Sequence, residues 1–352
     1  MSVFGSEHFD DHEEVVFCRD AETGLNAIIA VHDTTLGAGL GGCRFWPYAS
    51  EDEAVADVLR LSRGMTYKAA LAGTGRGGGK SVIIGDPAKL RSPQLFRALG
   101  RFVEKLGGSY IIAEDVGTSP DDMAHVREST RHVAGLAGLS GDPSPATAHG
   151  VFVGIRAALQ HRRGDDDLAG VRVAVQGLGH VGWDLCRQLH EAGAKLLVAD
   201  IRDGVCERAT KAFGAEAVAA DRIHAVEADV FAPCALGATI NDRSIPELKA
   251  EIVAGSANNQ LAEDRHGDML AARGVLYAPD YVINAGGVIN ITHEGPDYDR
   301  AAAMRHVATI RQTLADLFAR AEAEDVATHR MADRVAREVI AKAREKARLL
   351  AA

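Results

Sequence analysis

The sequence lacks the features of a secreted, membrane-spanning or nucleic-acid-binding protein. It has no apolar stretch long enough to cross a bilayer. Its net charge of −10 argues against nonspecific nucleic-acid binding, which needs clustered positive charge. The first residues, Met1–Glu7, lack the basic and apolar regions of a signal peptide. We therefore expect a cytoplasmic protein with neither a membrane nor a nucleic acid as partner.

Cysteine and histidine are arranged unlike the ligands of a metal or the pairs of a disulfide framework. The five cysteines are odd in number, widely spaced and without a C-x-x-C pair. The fourteen histidines show no metal-ligand spacing. We expect free thiols in a reducing compartment and no bound metal.

The chain has the length and composition of a two-domain globular protein, with 352 residues, 47% of them apolar and 25% charged. Predicted strands and helices are mixed up to about residue 140. A regular strand–helix alternation follows the segment Gly141–Pro145, and such alternation predicts a parallel sheet with helices on both faces. We predict an α/β protein with a substrate domain at 1–140, completed by a C-terminal helix at 330–352. A Rossmann-like, doubly wound nucleotide-binding domain is predicted at 141–329.

Two lysines flank a glycine-rich segment in the first domain. Lys68 and Lys80 lie twelve residues apart on either side of Gly73–Gly79. Lys80 leads into the apolar run Val82–Ile84, and desolvation there is expected to lower its pKa toward that of a general base. Lys68 has a simpler interpretation, as a basic residue that the dipole favours at a helix C-terminus. The small apolar residues after Lys68 leave little solvated surface, which favours the functional interpretation.

Asp115 follows a predicted strand at Tyr110–Ala113. The carboxyl end of a strand is a common position for site residues in α/β proteins. A carboxylate there stabilises an ammonium and shuttles its proton. The alternative is an ordinary turn or helix-capping acid.

A glycine motif in the second domain predicts a dinucleotide site. It consists of Gly177, Leu178, Gly179, His180, Val181 and Gly182. It follows a predicted strand and opens a helix, whose N-terminus attracts a pyrophosphate. Asp200, eighteen residues after Gly182, is expected to bind the ribose 2′-hydroxyl and repel a 2′-phosphate, which predicts NAD over NADP. Arg202 could instead bind the 2′-phosphate of NADP, which leaves the cofactor preference open. A second alternative is that the motif is a packing turn that binds no ligand.

The segment Tyr281–Asn290 is too apolar and glycine-rich for an ordinary surface loop. It is either a buried packing segment or a pocket wall beside a nicotinamide. In the second case Asn284 is a cofactor contact.

Together these residues resemble the family of glutamate, leucine, phenylalanine and valine dehydrogenases, and the leucine dehydrogenase branch fits best. The resemblance covers nearly the whole chain. It is carried by Gly37–Arg44, Met65–Lys68, Gly77–Pro87, Ala113–Gly117, Asp142–Pro145, Phe231–Gly237 and Ala278–Asn290.

The resemblance implies a homo-oligomeric enzyme for the NAD-dependent, reversible oxidative deamination of an L-amino acid to a 2-oxo acid and ammonia. It implies that Lys68 pairs with the substrate carboxylate, that Lys80 is the catalytic lysine and that Asp115 receives and returns the amino proton. It further assigns carboxylate binding to Gly41 and Gly42, a bridge between substrate and nicotinamide to Asn259, and a cofactor contact to Thr147. The residues that it implies around the substrate side chain are Leu40, Ala113, Val288 and Ile291.

Three hypotheses about activity remain open at the sequence level. The four apolar side-chain positions, with Ala113 as in the leucine branch, favour leucine and other branched-chain amino acids. The pair Ala257–Asn258 leans toward the phenylalanine type, which keeps an aromatic amino acid dehydrogenase as the alternative. A nucleotide-sensing protein that has lost its chemistry is the third hypothesis, although intact Lys68, Lys80 and Asp115 argue against it.

Overall fold

A computed structural model describes residues 3–136, 141–295 and 297–351. The chain divides into two compact units. The first takes its described residues from Met1–Gly141, Ile291–Tyr298 and Ala336–Ala352, and the second from Asp142–Asn290 and Asp299–Val335. The predicted domain boundary at residue 140 lies outside the described residues, which resume at Gly141.

The first unit contains a mixed sheet whose described strands have the order β1-β2-β4-β3-β5. β1 and β4 are antiparallel to β2, whereas β3 is parallel to both β4 and β5. The strands are β1 (Glu14–Asp20), β2 (Leu25–Asp33), β3 (Gly39–Trp46), β4 (Gly77–Ile84) and β5 (Tyr110–Glu114). The helices are α1 (Glu51–Leu71), α2 (Pro87–Leu90), α3 (Pro93–Lys105) and α4 (Pro120–Arg127).

Both faces of this sheet are buried, because alternate residues of β2 enter different clusters. Ile29 packs with Phe96 of α3, whereas its neighbour Ile28 packs with Val58 of α1. The sheet therefore lies between α1 on one face and α3 on the other. This packing holds in place the strands that carry the candidate site residues.

The glycine-rich segment belongs mostly to a strand rather than a turn. The apolar run Val82–Ile84 is only the end of β4, which begins at Gly77. A Cβ at Gly78 would clash with Thr66 of α1, and a Cβ at Gly79 would clash with the ring of Tyr110. These glycines therefore allow the close approach of elements on both faces of β4.

The second unit contains a parallel sheet whose described strands have the order β11-β10-β9-β6-β7-β8. The strands are β6 (Arg172–Gln176), β7 (Lys195–Ala199), β8 (Glu216–Ala217), β9 (Val230–Pro233), β10 (Ile252–Val253) and β11 (Leu276–Tyr277). The helices are α5 (Ser144–Arg163), α6 (His180–Glu191), α7 (Val205–Phe213), α8 (Ser244–Glu247), α9 (Arg265–Ala272), α10 (Asp280–Ile283), α11 (Gly286–Thr292), α12 (Arg300–Ala308) and α13 (Ile310–Ala323). The strand order reverses at β6, and the crevice at such a reversal is where doubly wound sheets bind ligands. The predicted α/β fold with a Rossmann-like parallel sheet is confirmed.

The C-terminal region is helical, and α12 and α13 meet at Thr309. The Thr309 hydroxyl donates to the His306 carbonyl at 2.7 Å, a local bond of the kind that competes with helix geometry. The last helix is α14 (Thr328–Ala351), and from Ala336 it belongs to the first unit. There Arg337 donates to the Tyr67 hydroxyl at 2.9 Å, and Arg344 pairs with Asp33. None of the described helices is both long and apolar enough to cross a membrane.

Candidate active site

Lys80 and Asp115 form a close ion pair in the first unit. The Lys80 Nζ atom lies 2.6 Å from Asp115 Oδ2, and the two side chains are only 7% and 23% exposed. Lys80 is on β4, and Asp115 directly follows β5. The intervening strand β3 has glycines at 41 and 42, and a Cβ at Gly42 would clash with Glu114 and Asp115. The two glycines therefore leave room for a lysine and a carboxylate to meet across a strand.

Asp115 is an ionised carboxylate in this setting. Burial alone would raise its pKa, but the Lys80 ammonium and the Arg44 guanidinium oppose burial and hold the pKa at about 2. The Asp115 amide donates to the Thr118 hydroxyl at 2.9 Å, which fixes the turn after β5. The site therefore offers a proton acceptor beside an amine.

The other candidate residues of the first unit lie on adjacent elements. Leu40 and Ala113 are buried on neighbouring strands, and Gly42 pairs in register with Ala113. Lys68 is half-buried in the last turn of α1, the helix that packs on β4. Ile291 is half-buried in the short segment that the first unit takes from α11.

The glycine motif forms the turn between β6 and α6 in the second unit. Gly177 has a φ of +95°, and a Cβ at Gly182 would clash with the Gly177 carbonyl. A Cβ at Gly179 would meet no protein atom within 4 Å, so the described protein does not itself require a glycine there. His180 and Val181 begin α6, whose first turn has no side-chain cap. Open space beside unsatisfied helix N–H groups fits a bound pyrophosphate.

Asp200 follows β7 and faces the same turn. Its Oδ2 atom accepts from the Leu178 amide at 2.7 Å. Hydrogen bonds from the Arg202 side chain are the largest influence on its pKa and hold it far below the usual range. The carboxylate is thus ionised and tied to the glycine motif.

The remaining candidates of the second unit lie on several loops and helices. Asn284 is buried, and its amide donates to Ser256 O at 3.1 Å and to Asn258 Oδ1 at 2.8 Å. Among the described residues its own Oδ1 has no hydrogen-bond partner. A buried acceptor without a partner is costly, which fits a ligand that donates to it.

Thr147, Asn259 and Val288 are partly or fully accessible in the second unit. The Thr147 hydroxyl donates to the Pro143 carbonyl at 3.1 Å. Asn259 is exposed with a φ of +51°, and its carbonyl accepts from the Ala238 amide at 2.7 Å. Val288 is half-buried on α11, three residues before Ile291.

Sequence reasoning gave no role to two residues that contact this site. The Arg44 Nε atom lies 3.5 Å from Asp115 Oδ2. The buried Tyr110 hydroxyl donates to the Gly41 carbonyl at 2.8 Å and lies 3.0 Å from Ser81 Oγ. An arginine inside the apolar run Cys43–Trp46 was the available signal for Arg44, whereas nothing in the sequence marks Tyr110.

A cluster of Asp242, Glu263 and His266 has the residue types of a metal site. Arg265 already pairs with both carboxylates, at 2.6 Å and 2.7 Å. The Glu263 amide donates to His266 Nδ1 at 2.9 Å, so this ring nitrogen is already used as an acceptor. The cluster is accounted for as an ion-pair network, and the absence of a metal remains a prediction.

Two family models match the chain. The model described as "Glu/Leu/Phe/Val dehydrogenase, dimerisation domain" matches residues 12–132. The model described as "Glutamate/Leucine/Phenylalanine/Valine dehydrogenase" matches residues 138–210 and 197–347.

Individual proteins are similar over nearly the full length. A leucine dehydrogenase of Bacillus cereus is 54% identical over 94% of this chain and 91% of its own. An L-tryptophan dehydrogenase of Nostoc punctiforme is 47% identical over 100% of both chains. The crystal structure of L-tryptophan dehydrogenase from Nostoc punctiforme superposes with a TM-score of 0.86 at 45% identity, covering 95% of this chain and 97% of that one.

Proposed function

Since the chain belongs to the glutamate, leucine, phenylalanine and valine dehydrogenase family and is an amino acid dehydrogenase close to the leucine branch, we propose that it oxidises leucine and other branched-chain L-amino acids with NAD. The products are the 2-oxo acid, ammonia and NADH, and the reaction is reversible. The observation that carries the proposal is the ion pair of Lys80 and Asp115, whose Nζ and Oδ2 atoms lie 2.6 Å apart across the glycine-containing strand β3.

The proposed chemistry assigns three proton transfers to this pair. Asp115 is ionised, and it accepts a proton from the substrate ammonium, which leaves a neutral amine. A bound nicotinamide would supply the acceptor for the hydride that leaves Cα. Lys80 in its unprotonated form then accepts a proton from the water that attacks the imine carbon. Asp115 returns its proton to the leaving nitrogen, and the tetrahedral carbon collapses to the 2-oxo acid and ammonia as its hydroxyl proton passes to solvent water.

Substrate binding is proposed for the residues around this pair. Lys68 and the backbone at Gly41 and Gly42 bind the substrate carboxylate. Side-chain selection is proposed for Leu40, Ala113 and Ile291 in the first unit, and for Val288 in the second. All four are apolar, so a substrate carboxylate beside them would be unpaired, at considerable cost. Asn259 bridges the substrate and the nicotinamide, the role that the resemblance to the family implies.

Cofactor binding is proposed for the second unit. The backbone of the glycine motif and the N-terminus of α6 hold the pyrophosphate, Asp200 binds the ribose, and Thr147 and Asn284 contact the cofactor. The preference for NAD follows from Asp200, because a carboxylate binds hydroxyls and repels a 2′-phosphate. The domain limits proposed here are 1–140 with 330–352 for substrate and 141–329 for NAD.

The proposed setting is a cytoplasmic homo-oligomer. A dimerisation-domain model matches residues 12–132, which supports self-association. The absence of a membrane-spanning helix among the described residues is compatible with this location.

The alternative substrate class is aromatic amino acids, and a specific observation favours it. The Nostoc punctiforme relative, 47% identical, is named for tryptophan. NADH formation at 340 nm, measured with leucine, isoleucine, valine, phenylalanine and tryptophan, separates the two classes. The assay is repeated with NADP in place of NAD. Turnover of an aromatic substrate alone would replace the branched-chain assignment.

The same assay tests the hypothesis of an inactive sensing protein. If the wild type oxidises no amino acid while both it and Lys80→Ala bind NAD, the enzyme assignment is wrong and the sensing hypothesis takes its place.

A further inference from the structure

Two cations share one oxygen of Asp115. Lys80 Nζ lies 2.6 Å from Oδ2, and Arg44 Nε lies 3.5 Å from the same atom. The Arg44 side chain is only 21% exposed, and its Nε is a buried donor without a hydrogen-bond partner among the described residues. Arg44 thus faces Asp115 closely enough for a strong electrostatic effect but makes no hydrogen bond to it.

Arg44 is held in position by Asp57. Its Nη1 atom donates to Asp57 Oδ2 at 2.8 Å, and the Tyr48 hydroxyl donates to the same oxygen at 2.8 Å. Arg60 donates to the other oxygen of Asp57 at 2.9 Å. Asp57 therefore anchors Arg44 and partly offsets its charge, and Arg60 pairs with the same anchor.

A general-base lysine paired with a carboxylate faces a conflict. The carboxylate stabilises the ammonium and therefore opposes the loss of the proton. A second cation on the same oxygen weakens this effect, and it also repels the ammonium directly. Arg44 is placed to do both.

We propose that Arg44 is a positioning residue that shares Asp115 with Lys80 and thereby allows Lys80 to release its proton and act as the base. The inference rests on the proposed function, because it concerns the proton transfer assigned there to Lys80. It adds that the Asp57–Arg44 pair sets the pH at which the base forms.

Three further titratable groups near Asp115 carry no charge in the working range. Burial is the first cause of a raised pKa at each of the three groups, with the pKa of Cys43 at about 12. The groups are Cys43 on β3, Tyr48 beyond β3 and Tyr110 on β5. Asp122 of α4 also acts on Cys43, but it is paired with Arg91. The described ion pairs of this network join Asp115, Lys80, Arg44, Asp57 and Arg60, and Lys68 adds a charge on the adjacent helix α1.

The test is the pH dependence of kcat/KM for amino acid oxidation. In Arg44→Met the rising limb should move to higher pH by about one unit, because Lys80 loses a competitor for Asp115. Arg44→Lys should restore most of the wild-type midpoint. Asp57→Asn should move the limb to lower pH, because the guanidinium charge is no longer offset. The matched control is Arg60→Met, which removes a charge from the same network and should move the midpoint by less than about 0.2 units.

Opposite shifts in Arg44→Met and Asp57→Asn distinguish an electrostatic role from loss of packing. An unmoved midpoint in Arg44→Met, or shifts in the same direction in both variants, would overturn the proposal. Thermal melts identify a variant that does not fold, and Arg44→Lys and Asp57→Asn then decide the question. Acetylation of Lys80 by acetic anhydride against pH, followed by peptide mass spectrometry, measures the same titration without turnover. This second measurement separates failure of the inference from failure of the proposed function.

Discussion

Asp200 and Arg202 form a two-pronged ion pair at the end of β7, with Arg202 Nε 2.9 Å from Oδ1 and Nη2 2.9 Å from Oδ2. The Arg202 amide donates to Oδ1 at 2.9 Å, and the Leu178 amide donates to Oδ2 at 2.7 Å. A carboxylate has about four acceptor positions, so these four donors fill Asp200. A ribose hydroxyl can therefore donate to Asp200 only if the Arg202 side chain releases one of the acceptor positions of this carboxylate.

The first prediction concerns cofactor choice at this pair. Asp200→Ser should lower kcat/KM for NAD by about tenfold or more and raise kcat/KM for NADP, because Arg202 is released to meet a 2′-phosphate. Arg202→Ala should have the opposite effect and increase discrimination against NADP. The measurement is kcat/KM with each cofactor. Asp203→Ser is the control, because Asp203 is an exposed neighbouring acid, and a similar change there would rule out a specific role for Asp200.

The second prediction separates packing from ligand binding in the glycine motif. Gly182→Ala should lower Tm, because its Cβ would clash with the Gly177 carbonyl. Gly179→Ala should keep the wild-type Tm, because no protein atom lies within 4 Å of the new Cβ, but it should lose most of its affinity for NADH. Thermal melts and NADH fluorescence titrations measure the two effects. Unchanged NADH affinity in Gly179→Ala would contradict a pyrophosphate at this position.

The third prediction is that Lys80 is needed for chemistry and not for cofactor binding. Lys80→Ala should lower kcat by about 10²–10⁴-fold, the range of a general-base contribution, with the Kd for NADH unchanged. Lys89→Ala is the control, since Lys89 is exposed and pairs with Asp86 in the same unit. Equal losses in the two variants would contradict a special role for Lys80.

The fourth prediction links Asp115 to acid stability. Its pKa is about 2 in the folded protein and about 3.8 without that environment, so its ionisation stabilises the fold above pH 3.8. This contribution, on the order of 2 kcal/mol, is lost as the pH falls from 3.8 toward 2. Asp115→Asn should therefore be less stable than the wild type at pH 7, and the gap should narrow below pH 4. Thermal melts at pH 7, 5 and 3.5 test this, and a gap that is constant with pH would contradict it.

Sequence patterns predicted the elements that local signals specify. The parallel sheet of the second unit follows from the strand–helix alternation, and the turn of the glycine motif follows from its glycines. The limits of the prediction lie in long-range contacts. The glycines at 77–79 are strand residues because they pair with β2 or β3, and Gly78 and Gly79 leave room for Thr66 and Tyr110, neighbours that no local pattern reveals.

The candidate site shows the same division. Sequence position singled out Lys80 and Asp115, which are 35 positions apart in the chain, and the resemblance gave them roles. Neither identified Arg44 as a second cation on the same oxygen. Register across three strands determines that contact. Similarly, Arg202 was considered only as a phosphate ligand, whereas in the structure its hydrogen-bond donors are directed at Asp200.

The fifth prediction concerns substrate choice at Ala113. This residue is buried on β5, and its Cβ lies 4.0 Å from the position a Cβ would take at Gly135. Ala113→Gly removes a methyl group from the proposed wall, and a pocket of this kind discriminates by about 1–3 kcal/mol for each methylene. The ratio of kcat/KM for phenylalanine to that for leucine should therefore rise by about tenfold, mainly through faster turnover of phenylalanine. Ala113→Val should lower the ratio, because a larger side chain narrows the same wall. If both variants change the two substrates in parallel, Ala113 does not contact the substrate side chain, and selection belongs to other residues of the wall.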